Sequence, residues 1–103
     1  MTKDELIKKI KLLKQPLEKD GFVIDGFFGS YARNDYHFSS DVDLLYHLDR
    51  IFLEKYKGFA GFKRLDEIKM FLENELGKKV DLAPKNNLSQ TAKKYILKDA
   101  VHV

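Results

Sequence analysis

The chain has 103 residues, 44% of them hydrophobic and 13% aromatic, so it can build one compact core and is too short for two domains. A net charge of only +3, from 19 basic and 16 acidic side chains, does not favour direct nucleic-acid binding. Cysteine is absent, which excludes disulfides, thiolate zinc sites and thiol nucleophiles. With a charged start and no apolar run of about 18 residues, we expect a cytoplasmic protein that does not contact the membrane.

The first predicted element is an amphipathic helix. Apolar residues recur at helical spacing, and Thr2 followed by Glu5 has the form of a capping box. We expect this helix to run from residue 3 to about residue 15. It should end or kink at Pro16, because proline lacks the backbone N–H that a helix interior requires.

Two β-prone segments follow, with a polar stretch between them. Phe22–Phe28 is an apolar run whose length suits a strand, and Asp41–His47 alternates aspartates with apolar residues. The connecting residues, Tyr31–Ser40, are more numerous than a hairpin loop needs. Connections of this length often have a function.

A second helix is predicted after a loop flanked by Gly58 and Gly61. Apolar side chains recur at steps of three and four residues from Leu65 onward until Gly77, which is a natural residue to end a helix. The aromatic side chains between Phe52 and Phe62 are expected to pack in the core or to form a partner surface.

The last part of the chain predicts a short strand and a helix. Lys79–Leu82 has the alternation of a strand and is followed by Pro84, which should end it. A final helix is expected to be capped by Asn87 or Ser89, and residues 99–103 are expected to form a tail.

The order helix, strand, loop, strand, helix, strand, helix predicts a small α/β or α+β domain. We expect a mixed β-sheet of three or more strands with flanking helices. Residues 1–103 should form this single domain.

Acidic residues at strand positions are the first sign of chemistry. Asp41 and Asp43 are two residues apart on one strand, so their carboxylates should point to the same face, roughly 7 Å apart. Asp81 is expected on a neighbouring strand. Carboxylates that close repel one another, and a divalent cation relieves the repulsion while gaining the oxygen ligands that magnesium prefers. Three converging carboxylates can hold two metal ions, as in nucleotidyl transfer.

A small-residue turn precedes these aspartates. Gly29 would let backbone N–H groups approach a phosphate, and Ser30 adds a hydroxyl donor. A short helix that begins near Tyr31 would point its positive end at the same anion, and Arg33 would add a cationic group. The turn is therefore predicted to bind phosphate.

These motifs together resemble a known superfamily. Gly-Ser-Tyr-Ala-Arg at 29–33, Asp-Val-Asp-Leu-Leu at 41–45 and Lys-Val-Asp-Leu at 79–82 are similar to the motifs of polymerase-β-like nucleotidyltransferases. The resemblance covers about residues 20–98. It is strongest to the minimal single-domain members, including those paired with HEPN proteins in bacterial and archaeal toxin–antitoxin modules.

The resemblance implies a nucleotidyltransferase fold and a set of catalytic residues. Asp41 and Asp43 would bind two Mg²⁺ ions as metal ligands. Asp81 would bind one of these ions and help to deprotonate the acceptor hydroxyl.

The same resemblance assigns the nucleotide-binding residues. Gly29 and Ser30 would hold the triphosphate of ATP or another nucleoside triphosphate, with Arg33 near it. Family members often have glycine after this motif, whereas here Asn34 and Asp35 follow. Asparagine also tolerates left-handed backbone, so the turn should form.

Three functions are compatible with the sequence. The first is Mg²⁺-dependent transfer of AMP from ATP to a hydroxyl of a partner protein, such as a tyrosine of a HEPN toxin, so that the chain acts as an antitoxin. The second is a non-catalytic antitoxin that neutralises its partner by docking. The third is an aminoglycoside-type small-molecule nucleotidyltransferase that needs a second subunit. Larger superfamily enzymes bind the acceptor with a helical domain, so here acceptor contacts should come from another chain, in a homo- or hetero-oligomer.

Overall fold

A four-stranded mixed sheet forms the centre of the molecule. The structure, a computed structural model, describes residues 1–103 apart from the side chain of Asn87. The elements in chain order are α1 (Lys3–Lys19), β1 (Phe22–Phe28), α2 (Ser30–Arg33), β2 (Val42–Leu48), α3 (Arg50–Lys55), α4 (Phe59–Leu76), β3 (Val80–Pro84), a 3-10 turn (Lys85–Asn87), α5 (Gln90–Asp99) and β4 (Val101–His102).

The strands lie in the order β3-β2-β1-β4. β1 is antiparallel to both β2 and β4, whereas β2 and β3 are parallel. A parallel pair needs a long crossover connection, which α3 and α4 supply. The expected mixed α/β architecture is confirmed.

The core determines which way the acidic side chains point. Buried side chains of α1 and α4 form one hydrophobic cluster with residues of β1 and β2. Val42, Leu44 and Tyr46 of β2 belong to this cluster. Because successive side chains of a strand alternate between faces, Asp43 points to the opposite face of the sheet.

The prediction that α1 ends near residue 15 is wrong. The helix continues through Pro16 to Lys19 and buries Leu17 in the core. Pro16 cannot bond to the carbonyl of Leu12, but both residues lie on the exposed side of the helix. Water can satisfy a carbonyl there, so burial of Leu17 outweighs the lost hydrogen bond.

The region before the predicted second helix is more ordered than expected. α4 already begins at Phe59, so Gly61 lies inside the helix rather than beside it, and α3 precedes it. Gly77 ends α4 in the left-handed conformation, as predicted. Of the aromatic residues here, Phe52 is buried, whereas Phe59 and Phe62 are exposed.

The end of the chain also differs from the prediction. Ser89 caps α5, since its hydroxyl accepts a hydrogen bond from the Ala92 N–H, while the other predicted cap, the Asn87 side chain, lies outside the described structure. The expected tail contains β4, which pairs with Gly26 and Phe27. Gly26 permits this close approach, because a Cβ at that position would overlap the carbonyl of Val101.

Candidate active site

The register of the parallel strands places two acidic residues side by side. Asp43 of β2 is paired with Asp81 of β3 in the register of the sheet, and the two carboxyl groups lie close enough for each to act on the other. Burial, followed by the charge and hydrogen bond of Asp81 and the charge of Asp41, raises the pKa of Asp43 to about 6, although Arg33 opposes the shift.

Asp41 lies one residue before β2 and is exposed. It is close enough for its charge to contribute to the raised pKa of Asp43. Among the described residues, however, no three acidic or histidine side chains are gathered closely enough to hold a metal ion. The structure therefore brings Asp43 and Asp81 together and leaves Asp41 as a neighbour at the solvent edge.

Gly29 occupies a position that only glycine fits. Its backbone has φ 74° and ψ −149°, which L-residues rarely adopt, and a Cβ there would overlap the carboxylate of Asp43. The turn and the acidic pair are therefore in direct contact. Ser30 begins α2, and its hydroxyl has no hydrogen-bond partner in the described part of the chain.

α2 ends at Asn34, where the sequence departs from the usual family pattern. Asn34 adopts left-handed backbone, with φ 63° and ψ 23°, as predicted. The Arg33 guanidinium lies 3.2 Å from the carboxylate of Asp35, and both side chains are largely exposed. Arg33 is also near enough to Asp43 to lower its pKa.

Residues at the N-terminal end of the chain hold α2 in place through packing and hydrogen bonds. Tyr31 is buried and stacks on Tyr36, with ring centroids 4.3 Å apart. The Tyr31 hydroxyl donates a hydrogen bond to the carbonyl of Met1, and the Lys3 ammonium donates to the carbonyl of Ala32 at 3.2 Å. The two tyrosines therefore have a packing role.

One contact of the site was missed at the level of sequence. The Lys78 ammonium donates hydrogen bonds to the carbonyls of Phe38 and Ser40. Its position between the helix-ending Gly77 and the strand of Asp81 is the signal that could have indicated this role.

The donor set fits magnesium. Carboxylate oxygens are the ligands that Mg²⁺ prefers, and the repulsion that raises the pKa of Asp43 is what a divalent cation would relieve. Asp43 and Asp81 would hold such an ion, and Asp41 would have to move closer to them to become a further ligand.

The mixed sheet carries paired carboxylates on two parallel strands, and one of them contacts a Gly-Ser turn. This arrangement is that of a nucleotidyl-transfer domain. Comparison with known proteins confirms this class. Residues 6–103 match the nucleotidyltransferase domain family. The chain belongs to this family and is a nucleotidyltransferase.

Its relatives are similar along nearly their whole length. Protein adenylyltransferase MntA of Thermococcus cleftensis is 31% identical over 104 residues, which cover 100% of this chain and 97% of that protein. A provisionally assigned protein adenylyltransferase of Methanocaldococcus jannaschii is 33% identical over 102 residues, 98% of this chain and 93% of that protein.

Solved structures share the fold. That of a provisionally assigned minimal nucleotidyltransferase superposes with a TM-score of 0.73 at 25% identity, covering 100% of this chain and 97% of the other. A toxin–antitoxin crystal structure with AMP-PNP gives a TM-score of 0.59 at 18% identity, covering 99% of this chain and 72% of the other. In the described structure of the present chain, none of the helices has the length and apolar character needed to cross a membrane.

Proposed function

We propose that the chain transfers AMP from ATP to a hydroxyl of a partner protein in the cytoplasm, using Mg²⁺. The acceptor is a tyrosine of a HEPN-type toxin, so the chain acts as an antitoxin. The observation that carries the proposal is the pairing of Asp43 with Asp81 on adjacent parallel strands, with the Asp43 carboxylate in contact with Gly29.

The relatives support the acceptor class. The Thermococcus relative that spans the whole chain is named a protein adenylyltransferase. A protein of the same fold was crystallised as part of a toxin–antitoxin pair with AMP-PNP, a non-hydrolysable ATP analogue.

The reaction forms one bond to phosphorus and breaks another. The acceptor oxygen attacks the α-phosphorus of ATP, the bond to the β-phosphate oxygen breaks, and pyrophosphate leaves. Asp81 receives the proton of the acceptor hydroxyl, while Gly29 and Ser30 hold the triphosphate. When bound at Asp41, Asp43 and Asp81, two magnesium ions would neutralise charge on the triphosphate and lower the pKa of the acceptor hydroxyl.

The test uses ATP labelled at the α-phosphate and the protein encoded beside this one. We expect label to appear on a tyrosine of the partner in the presence of Mg²⁺. The double variant Asp41→Ala/Asp43→Ala should transfer at least about 10³-fold less, because the charged groups that act on the transition state are lost. Asp66→Ala, which removes an exposed carboxylate of α4, is the matched control and should transfer normally.

The outcome separates the three functions. Equal labelling by the wild type and the double variant, or no labelling of any partner, would contradict the proposal. A double variant that still neutralises the partner would instead indicate docking without chemistry. Transfer of AMP to an aminoglycoside, with none to protein, would indicate the small-molecule reaction.

A further inference from the structure

Lys78 lies where three segments of the candidate site meet. Its ammonium group donates a hydrogen bond to the carbonyl of Phe38 at 2.6 Å and to the carbonyl of Ser40 at 3.3 Å. The same ammonium lies 5.8 Å from the ring centroid of Tyr31, which anchors α2. Lys78 thus contacts the segment that precedes Asp41 and the helix that follows the Gly29 turn.

The backbone of Lys78 is itself fixed on both sides. The N–H of Gly77 donates to the backbone carbonyl of Glu73 at 2.8 Å. The N–H of Val80 donates to the side-chain carboxylate of the same glutamate at 3.0 Å. Because Asp81 follows Val80 directly, the position of Lys78 is tied to the strand that carries this acid.

The segment that Lys78 holds has little packing of its own. Residues 37–40 form a closed turn, in which Ser40 N–H donates to the His37 carbonyl and His37 N–H donates to the Ser40 hydroxyl, both at 2.9 Å. Phe38 is 92% exposed, and its neighbours on either side are exposed as well. Few buried contacts therefore oppose movement of this turn, and charged hydrogen bonds from Lys78 gain importance.

We propose that Lys78 is a positioning residue for adenylyl transfer, which holds the turn before Asp41 in register with the Asp43 and Asp81 pair. The proposal rests on the proposed function for its catalytic consequence. Lysine suits the position because its ammonium has three donors and can serve two carbonyls at once. Arginine would keep charge and donors, whereas methionine would keep only the length of the chain.

The first measurement does not depend on activity. Amide hydrogen exchange of His37 and Ser40, the two hydrogen-bonded amides of the turn, is compared in the metal-free wild type, Lys78→Met and Lys63→Met, the last removing an exposed lysine of α4 as the matched control. We expect exchange at these two amides to rise about tenfold in Lys78→Met and to stay unchanged in the control. Lys78→Gln, which keeps a donor, takes the place of the methionine variant if that variant does not fold.

The second measurement concerns the bound nucleotide. Titration with Mg²⁺ and a non-hydrolysable ATP analogue should give about tenfold weaker binding for Lys78→Met, with Lys78→Arg close to the wild type. In the transfer assay kcat should fall in Lys78→Met, while KM for the partner protein stays constant, because Lys78 acts on Asp41 and not on the acceptor.

The results distinguish failure of this proposal from failure of the proposed function. Wild-type exchange and wild-type nucleotide binding in Lys78→Met would overturn the role of Lys78, whatever the transfer assay shows. If the wild type binds the analogue but modifies no protein, the proposed function is overturned. The hydrogen-exchange and nucleotide-binding measurements would still test the positioning role of Lys78.

Discussion

Two carboxylates of this protein lie in opposite electrostatic surroundings. Asp20, at the end of α1, accepts hydrogen bonds from Lys55, Tyr56 and Arg64 at 2.7–2.9 Å. Burial alone would raise its pKa, but these three donors outweigh it and lower the pKa to about 2. Asp43 instead faces Asp81 and Asp41, and its pKa rises to about 6.

The difference separates a carboxylate whose charge is satisfied by the fold from one whose charge the fold leaves opposed. The charge of Asp20 is satisfied by donors from α3 and α4, so it fastens three helices together. The charge of Asp43 lacks such partners on β2 and β3, and its repulsion costs stability that a cation would restore. Removing one charge or the other should therefore change stability in opposite directions.

The largest expected effect is the loss of Asp20. Asp20→Ala should lower the free energy of unfolding by about 3 kcal/mol, because it leaves the partly buried Arg64 guanidinium and the Tyr56 hydroxyl without their shared acceptor. Urea denaturation measures the change. Asp66→Ala, which removes an exposed acid, should stay within about 0.5 kcal/mol of the wild type. Equal losses in the two variants would show that Asp20 does not fasten the helices.

Acid should weaken the same cluster. The pKa of Asp20 is lowered from its ordinary value of 3.8 to about 2 in the folded protein. Asp20 therefore stabilises the fold fully at pH values above the pKa of the unfolded chain, and this stabilisation disappears as the pH falls through the pKa of the folded protein. We expect about 2 kcal/mol to be lost between about pH 4 and pH 2. Urea denaturation across this range should show a flatter slope for Asp20→Asn, and parallel slopes would contradict the assignment.

Removal of the charge at Asp43 should have the opposite sign. Its raised pKa means that the metal-free wild type loses stability as the pH rises from about 4 through about 6. Asp43→Asn should therefore be more stable than the wild type by about 1 kcal/mol at pH 8, after allowance for solvent screening, and the gain should vanish near pH 4. Thermal melts at both pH values measure it, and a gain that persists at pH 4 would point to packing instead of charge.

Local patterns of the sequence predict those features that depend on residues near one another. The limits of β1, the left-handed Asn34 and the cap at Ser89 follow from residue types within a few positions. The proximity of Asp43 to Asp81 required only the expectation that two short strands are neighbours. The cap of α3 could also have been predicted, because aspartate is a common residue just before a helix. In the structure the Asp49 side chain accepts a hydrogen bond from the Ile51 N–H at 2.9 Å.

Features that depend on distant partners could not be predicted in this way. Asp20 and its three donors are 35 to 44 residues apart in the chain, and no local pattern relates them. β4 is too short to show strand alternation and exists because Gly26 leaves room for it. The extension of α1 past Pro16 likewise depends on the core that receives Leu17. Tertiary contacts outweigh local preference in each case.

The smallest expected effect comes from magnesium without nucleotide. At pH 8 Mg²⁺ should raise the melting temperature of the wild type by about 2–4 °C, which corresponds to about 0.5 kcal/mol for a domain of this size. Asp43→Asn should show no such rise, because the repulsion that the cation relieves is already gone. The Asp20 cluster should contribute nothing to the rise in melting temperature, since its charge is already satisfied. Potassium chloride at equal ionic strength is the control for charge screening. An equal rise in wild type and Asp43→Asn would mean that magnesium binds elsewhere and that the two carboxylates do not differ as argued.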